Sequence, residues 1–364
     1  MDKEKLESIK DALSALCALF LKYGYKQYRM SKFEEYDLYA KNKDFLVSEN
    51  VITFTDTDGK LLALKPDVTL SIIKNGKDGD GLQKVFYNEH VYRVSKGTRS
   101  FKEFMQLGLE CLGGVDDYSV CEVILLAAKS LQTVCEDFVL DISHLGIVKG
   151  VMDAFNISEA GKKKILSYLG EKNAHGVLSV CQEENLDGEK TEILKQLVTV
   201  YGKPEKVLPV ISAWNVDENT KAAIGQLEKT VIALNALGFS DKISVDFSVV
   251  NDMNYYNGLV FKGFISGIPT GILSGGQYDK LMEKMGRRDR AIGFAVYLDE
   301  LERLFPDKAD YDVDVAVEYG NLSDISVINQ TVKKITDGGE SALALPTVPD
   351  RLKYKRLISL KGDK

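Results

Sequence analysis

Histidine and cysteine are scarce in this 364-residue chain, and their placement excludes several kinds of chemistry. The three histidines, His90, His144 and His175, show no ligand spacing. The five cysteines, Cys17, Cys111, Cys121, Cys135 and Cys181, are odd in number and form no Cys-x-x-Cys pair. A structural zinc site and a disulfide framework are both disfavoured by that pattern. Positive charge is also short: 47 Lys and Arg stand against 54 Asp and Glu, for a net charge of −7 and a pI near 5.3. No broad basic surface for nucleic acid is therefore advertised, although a local basic face can hide beneath an acidic total. No run approaches the roughly 18 apolar residues of a membrane span. The N-terminal segment is charged and then amphipathic, without the apolar region of a signal peptide. A reducing cytoplasm is the expected compartment. No internal repeat or low-complexity stretch occurs.

What is present is globular: 45% hydrophobic and 28% charged residues, enough for a sizeable core. The length suggests two or three domains. Leu6, Ile9, Leu13, Leu16, Cys17 and Phe20 recur at helical spacing over residues 3–23. `KQYRM` reads as a short strand, and residues 51–64 as two strands around a turn at Gly59. `PDVTLSIIKN` predicts a helix starting at Pro66, with Asp67 and Thr69 in its first turn. `KVFYNEHVYRV` and `KEFMQLGLECLGG` read as strands, residues 117–134 as a helix, and `FVLDISHLG` as a buried strand. Residues 147–236 change to helical segments joined by polar turns. Strands return at `KISVDFSVV` and `GLVFKGFI`, and residues 290–304 run from a strand into a helix. Beyond Pro306 the pattern is one strand–helix–strand unit. Many strands with few crossover helices predict an α+β fold with an antiparallel sheet flanked by helices. The expected organisation is a core in two parts, 1–146 and 239–306, a helical insertion at 147–238, and a tail at 307–364.

Several residues could carry chemistry. Period two places Phe104, Gln106, Gly108 and Glu110 on one face of a strand, with Gly108 leaving room for a small ligand. The same pattern also describes an ordinary polar sheet face. Asp67 with Thr69, Tyr255 with Tyr256, and `SGGQYD` at 274–279 add candidates. Adjacent tyrosines are commonly core residues, and a Ser-Gly-Gly run is commonly a turn or bulge. Asp141 and His144 in `LDISHLG` read equally as a strand-end hydrogen-bonding pair.

The joint order is more specific than any part. Asp-x-Thr, then Arg93…Phe-x-Gln-x-x-x-Glu, then Tyr-Tyr-x-Gly, then Ser-Gly-Gly-x-Tyr-Asp, then Ala-Ile-Gly-Phe-Ala resembles the histidyl-tRNA synthetases and their relatives, over roughly 1–145 and 240–304. The resemblance implies a class II aminoacyl-tRNA synthetase-like core and a histidine pocket. In it Asp67, Thr69 and Gln106 would receive the α-ammonium, Glu110 and Tyr256 the imidazole, with Tyr278 closing that end and Tyr255 and Arg93 alongside. A pocket built to pair buried N–H groups rejects analogues that cannot fill it.

The departures point away from aminoacylation. Joining an amino acid to ATP needs positive charge aimed at the transition state. Where the synthetases carry arginines, this chain has Asn251 before the tyrosine pair and Glu300 after Gly-Phe-Ala-x-Tyr, and Tyr297 replaces a glycine where adenine would lie. Ser31 replaces the motif-1 proline, and Lys65 stands where arginine is frequent. Arg303 is the alternative motif-3 arginine if three residues are inserted after Gly-Phe-Ala. The residues after Pro306 are too few for a whole anticodon-binding domain, leaving a truncated βαβ unit. Its last stretch, `RLKYKRLISLKGDK`, is expected to be a solvated, partly disordered terminus rather than a nucleic-acid contact.

A histidine pocket without adenylating machinery resembles the regulatory subunits of short-form ATP phosphoribosyltransferase. That resemblance implies a chain with no catalytic residues, cofactor or metal of its own. It implies a catalytic transferase subunit as partner, L-histidine as effector, and a homodimer core using residues 24–50 within a hetero-octamer. A divergent histidyl-tRNA synthetase and a synthetase-like tRNA or histidine sensor are the alternatives.

Overall fold

The computed structural model describes residues 8–46, 50–76, 81–94, 100–250, 255–304, 311–322 and 324–360. The chain divides into two compact units, Met1–Leu304 and Phe305–Lys364.

The first unit opens with α1 (Ile9–Lys22), capped by Ser8, whose hydroxyl accepts the Asp11 amide; Ala12, Leu16 and Phe20 form its buried stripe. β1 (Lys26–Gln27), β2 (Phe33–Glu35), α2 (Tyr36–Lys41), β3 (Thr53–Thr55) and β4 (Leu61–Leu64) follow. β2, β4 and β3 make a small antiparallel sheet, and Gly59 turns between β3 and β4 with φ +80°. The next helix, α3 (Thr69–Asn75), begins three residues later than its proline suggested. Asp67 lies ahead of it and its Oδ1 accepts the Leu70 amide at 2.9 Å, a capping role that satisfies one orphan donor of the first turn.

β5 (Gln83–Val94) and β6 (Phe101–Gly113) form a long antiparallel pair, from Gln83 opposite Leu112 to Val94 opposite Phe101. α4 (Asp117–Val134), capped by Asp116, leads to β7 (Phe138–His144). Six helices come next: α5 (Leu145–Ala154), α6 (Glu159–Gly170), α7 (Ala174–Glu183), α8 (Gly188–Thr199), α9 (Pro204–Ser212) and α10 (Glu218–Leu234). Their starts are written in the sequence, with Ser158, Asn173, Asp187 and Asp217 as side-chain caps and Pro204 at the first position of α9. α10 packs against α5, α4, α9 and β7, so this helical stretch shares a compact unit with the sheet.

β8 (Ile243–Val245), β9 (Leu259–Ile265), β10 (Leu273–Gln277), α11 (Asp279–Lys284), β11 (Arg290–Tyr297) and α12 (Leu298–Leu301) complete the unit. The main sheet has the order β1-β5-β6-β11-β10-β9-β7-β8. Its interior pairs are antiparallel and its two edge pairs, β1–β5 and β7–β8, are parallel. Asp141 and His144 do not pair. Three apart on β7, they leave on opposite faces: His144 bonds Gln226 at 2.9 Å and accepts the Gly146 amide at 3.0 Å, while burial and Asp246 push the Asp141 carboxyl up.

The second unit holds β12 (Val313–Glu318), α13 (Ile325–Asp337), β13 (Ala342–Leu345) and β14 (Tyr354–Ser359). All three strands are parallel in the order β13-β12-β14. β14 corrects the expectation of a partly disordered terminus over residues 354–359, which are ordered but largely exposed. Residues 354–359 pair with β12 from Val313 opposite Tyr354 to Glu318 opposite Ser359. Two of the basic residues read there are paired within the unit, Lys355 with Asp314 and Arg356 with Glu340.

Candidate functional site

The face of β6 predicted from its period supplies the floor of a cavity of about 450 Å³, within the usual range for small-molecule sites. Register sets the neighbours: Gln106 lies opposite Glu89 and Tyr297, Gly108 opposite Tyr87 and Ala295, and Glu110 opposite Val85 and Gly293. Asp67 and Thr69 reach the cavity from the start of α3, Tyr255 and Tyr256 from the segment before β9, and Tyr278 from the junction of β10 and α11. Arg93, on β5, completes the predicted set, so all eight expected binding residues line one cavity.

Glu110 is the centre of the arrangement. It is 3% exposed. Thr69 donates to its Oε1 at 2.7 Å and Tyr278 to its Oε2 at 2.6 Å. Burial outweighs those two hydrogen bonds and, with the nearby Asp67 charge, pushes its carboxyl up to about 8. Space for it exists because residue 293 is glycine: a Cβ there would lie 1.7 Å from Glu110 Oε2. Burial also raises the Asp67 carboxyl, against the opposing pull of Arg93. Two buried acids that resist ionising make a site that favours a cationic or proton-accepting ligand.

Two details differ from the sequence reading, at Gly108 and Arg93. The gap at Gly108 is filled from within, because the Tyr87 ring crosses it and a Cβ would lie 2.0 Å from Tyr87 Cζ. Thr69 gives its hydroxyl proton to Glu110 and keeps its oxygen lone pairs for a ligand, as receiving an ammonium requires. Arg93 is engaged locally, its Nε donating to the Pro66 carbonyl at 2.6 Å with a terminal nitrogen 3.9 Å from Asp67. Lys65 is likewise paired, fully buried against Glu89 at 2.5 Å.

The positions read as lost adenylating groups separate. Tyr297 lines the cavity and its hydroxyl shares a 2.6 Å hydrogen bond with Ser274 Oγ. Glu300 does not line it: its carboxylate accepts from Thr270 at 2.7 Å and pairs with Arg303 at 3.3 Å. Arg303, committed to Glu300, is absent from the lining as well. Asn251 lies outside the described residues. Sequence reasoning missed Tyr87, Phe45, Lys163 and Leu166 in the lining. Tyr87 reaches the site through the register of β5 against β6, whereas Lys163 and Leu166 sit on α6 and carry no local signal. Among the described residues no group of three His, Cys, Asp or Glu could hold a metal ion, and no helix is long and apolar enough to cross a membrane.

A model of the histidyl-tRNA synthetase family matches residues 1–301. An ATP phosphoribosyltransferase regulatory subunit from Caldanaerobacter subterraneus subsp. tengcongensis is 30% identical over 289 residues, covering 78% of this chain and 75% of the relative. Among solved structures, an ATP phosphoribosyltransferase regulatory subunit/histidyl-tRNA synthetase from Bacillus halodurans C superposes with a TM-score of 0.83 at 24% identity, covering 97% of this chain and 94% of that one. An ATP phosphoribosyl transferase complex from Thermotoga maritima contains a chain that superposes with a TM-score of 0.63 at 17% identity, covering 80% of this chain and 97% of that one. The fold is thus the histidyl-tRNA synthetase-like class II α+β fold.

Proposed function

This chain belongs to the histidyl-tRNA synthetase family, among the ATP phosphoribosyltransferase regulatory subunits, and from that premise we propose that it binds L-histidine and regulates a catalytic transferase subunit without catalysis of its own. The observation that carries the reading is the Glu110 cavity: one buried carboxyl held by two hydroxyls, with Asp67 and Gln106 nearby and Tyr297 filling part of the space. Such a site takes a small ligand with a basic ring and an ammonium. Among the described residues of its lining, the positive charge that phosphoryl chemistry needs is thin: Arg93 is tied to Pro66 and Asp67, and Lys163 is the other cation there.

Regulation follows if histidine binds two states of the complex with different affinity. In this reading the chain activates the catalytic subunit and takes part in feedback inhibition. It does so as a dimer using residues 24–50, within a hetero-octamer, in the cytoplasm. The relatives' names and the Thermotoga maritima complex support a transferase partner.

The test is an ATP phosphoribosyltransferase assay with a short-form catalytic subunit from the same organism, with and without this chain and histidine. Stimulation by the chain, reversed by histidine, is expected. No stimulation and no co-purification, together with histidine-dependent ATP–pyrophosphate exchange by the chain alone, would overturn the reading in favour of a synthetase.

A further inference from the structure

The charges in the cavity lining are unevenly matched to an amino acid. Among the described residues of the lining, Asp44, Asp67 and Glu110 are the acids and Arg93 and Lys163 the bases. Acids and hydroxyls suit a ligand's ammonium and ring, but an amino acid also brings a carboxylate, which the acids repel. Arg93 is occupied by the Pro66 carbonyl and sits beside Asp67. Lys163 is different. It stands on α6 between two paired lysines: Lys162 binds Asp153 and Glu159 at 2.7 and 2.8 Å, and Lys164 binds Glu183 at 2.6 Å. Lys163 has no ion pair among the described residues, although it lines the cavity together with Leu166, three residues on and therefore on the same helical face. The helix thus pairs the two lysines on either side and leaves the one at the cavity unpaired.

We propose that Lys163 receives the α-carboxylate of the amino-acid ligand, making α6 a wall of the site and Lys163 its specificity determinant for a free carboxylate. The proposal rests on the histidine-pocket reading above. The ring and ammonium would sit toward Glu110 and Asp67 and the carboxylate toward α6, so that a bound ligand bridges the sheet and the helical stretch.

The test is calorimetry on the full chain with two probes: L-histidine, and histamine, which keeps the ring and amine but lacks the carboxylate. Lys163→Ala should weaken histidine about tenfold, the order expected when a hydrogen bond to a charged group is lost. It should leave histamine within about twofold, and Lys163→Arg should restore most of the loss. Lys163 is exposed, so thermal unfolding of the variants should match the parent. Unchanged histidine affinity in Lys163→Ala would overturn the assignment while leaving the pocket intact. Equal weakening of both probes would overturn it too, by showing that the lysine only shapes the wall. If the unmodified chain binds neither probe, the histidine-pocket reading itself falls and this assignment falls with it.

Discussion

Tyr278 donates its hydroxyl proton to Glu110 across 2.6 Å, a contact between residues 168 positions apart that joins the end of β10 to the middle of β6. With Thr69 on the other carboxylate oxygen, it fixes the rotamer of an acid in a site where burial alone would favour neutralising it. An acid so held is preorganised for a ligand that carries a proton or can accept one, and little ordering remains to be done on binding.

Glu110→Ala should therefore weaken histidine binding by about 1.5–3 kcal/mol, the range for hydrogen bonds to charged groups. Tyr278→Phe should cost less, because Thr69 still holds the carboxylate. Calorimetry measures both. Glu110→Ala binding with the parent's affinity would remove this residue from the pocket.

The raised Glu110 pKa predicts the pH dependence of binding. Glu110 keeps its proton up to about pH 8, while a free imidazole ring is neutral above about pH 6.5. Between those values the acid can hand its proton to the ring, and no net proton is exchanged with solvent. Below about 6.5 one proton must leave on binding, and above about 8 one must be taken up. Affinity should thus be flat between the two and fall on either side, by at most about tenfold per pH unit. An affinity that rises steadily through pH 8 would show that the complex does not hold that shared proton.

Stability should follow the same group with the opposite reference. The folded carboxyl titrates near 8 and the unfolded one near 4.5. Below 4.5 both are protonated, so the full contribution is present. As pH rises toward 8 the unfolded chain releases a proton that the folded one retains, and stability is lost, at most about 1.4 kcal/mol per unit. Glu110→Gln removes this slope. Its melting temperature should gain on that of the parent between pH 5 and pH 8, and parallel curves would contradict the assignment of a buried, raised carboxyl.

How legible the site was depends on the range of the signal. Gln106 and Glu110 could be placed on one face because strand period is local. The occupant of the Gly108 gap was not local. It depends on the register of β5 against β6, which puts Tyr87 opposite Gly108. Lys163 could not be found from α6, where it reads as one of three consecutive lysines. β14 was obscured by its charges: Lys355 and Arg356 look like a solvated tail until Asp314 and Glu340 are brought beside them. The neighbours of Glu300 were not legible either, because the turn from β11 into α12 takes its carboxylate to Thr270.

Gly293→Ala probes the pocket from beneath. The added Cβ would meet Glu110 Oε2 at 1.7 Å and the Leu109 carbonyl at 2.6 Å, so either the carboxylate or the strand pair must give. Overpacking of this kind costs about 1–3 kcal/mol. The variant should melt lower and lose histidine binding. A folded variant with parental affinity would mean that Glu110 can adopt another rotamer without consequence for the ligand.

Restoring the missing arginines should not restore adenylation. Glu300→Arg places a cation where the present side chain faces Thr270 and Arg303, away from the cavity lining. Tyr297 meanwhile keeps its ring in the cavity, tied to Ser274, so the space for a nucleotide base stays filled even when Asn251→Arg is added. The Asn251→Arg, Glu300→Arg double variant should bind histidine and show histidine-dependent ATP–pyrophosphate exchange at background. Adding Tyr297→Gly is the step that opens the space, and it removes the hydroxyl that Ser274 bonds. Exchange well above background in the double variant, with Tyr297 intact, would show that the ring does not obstruct the nucleotide and that charge alone separates this chain from the synthetases.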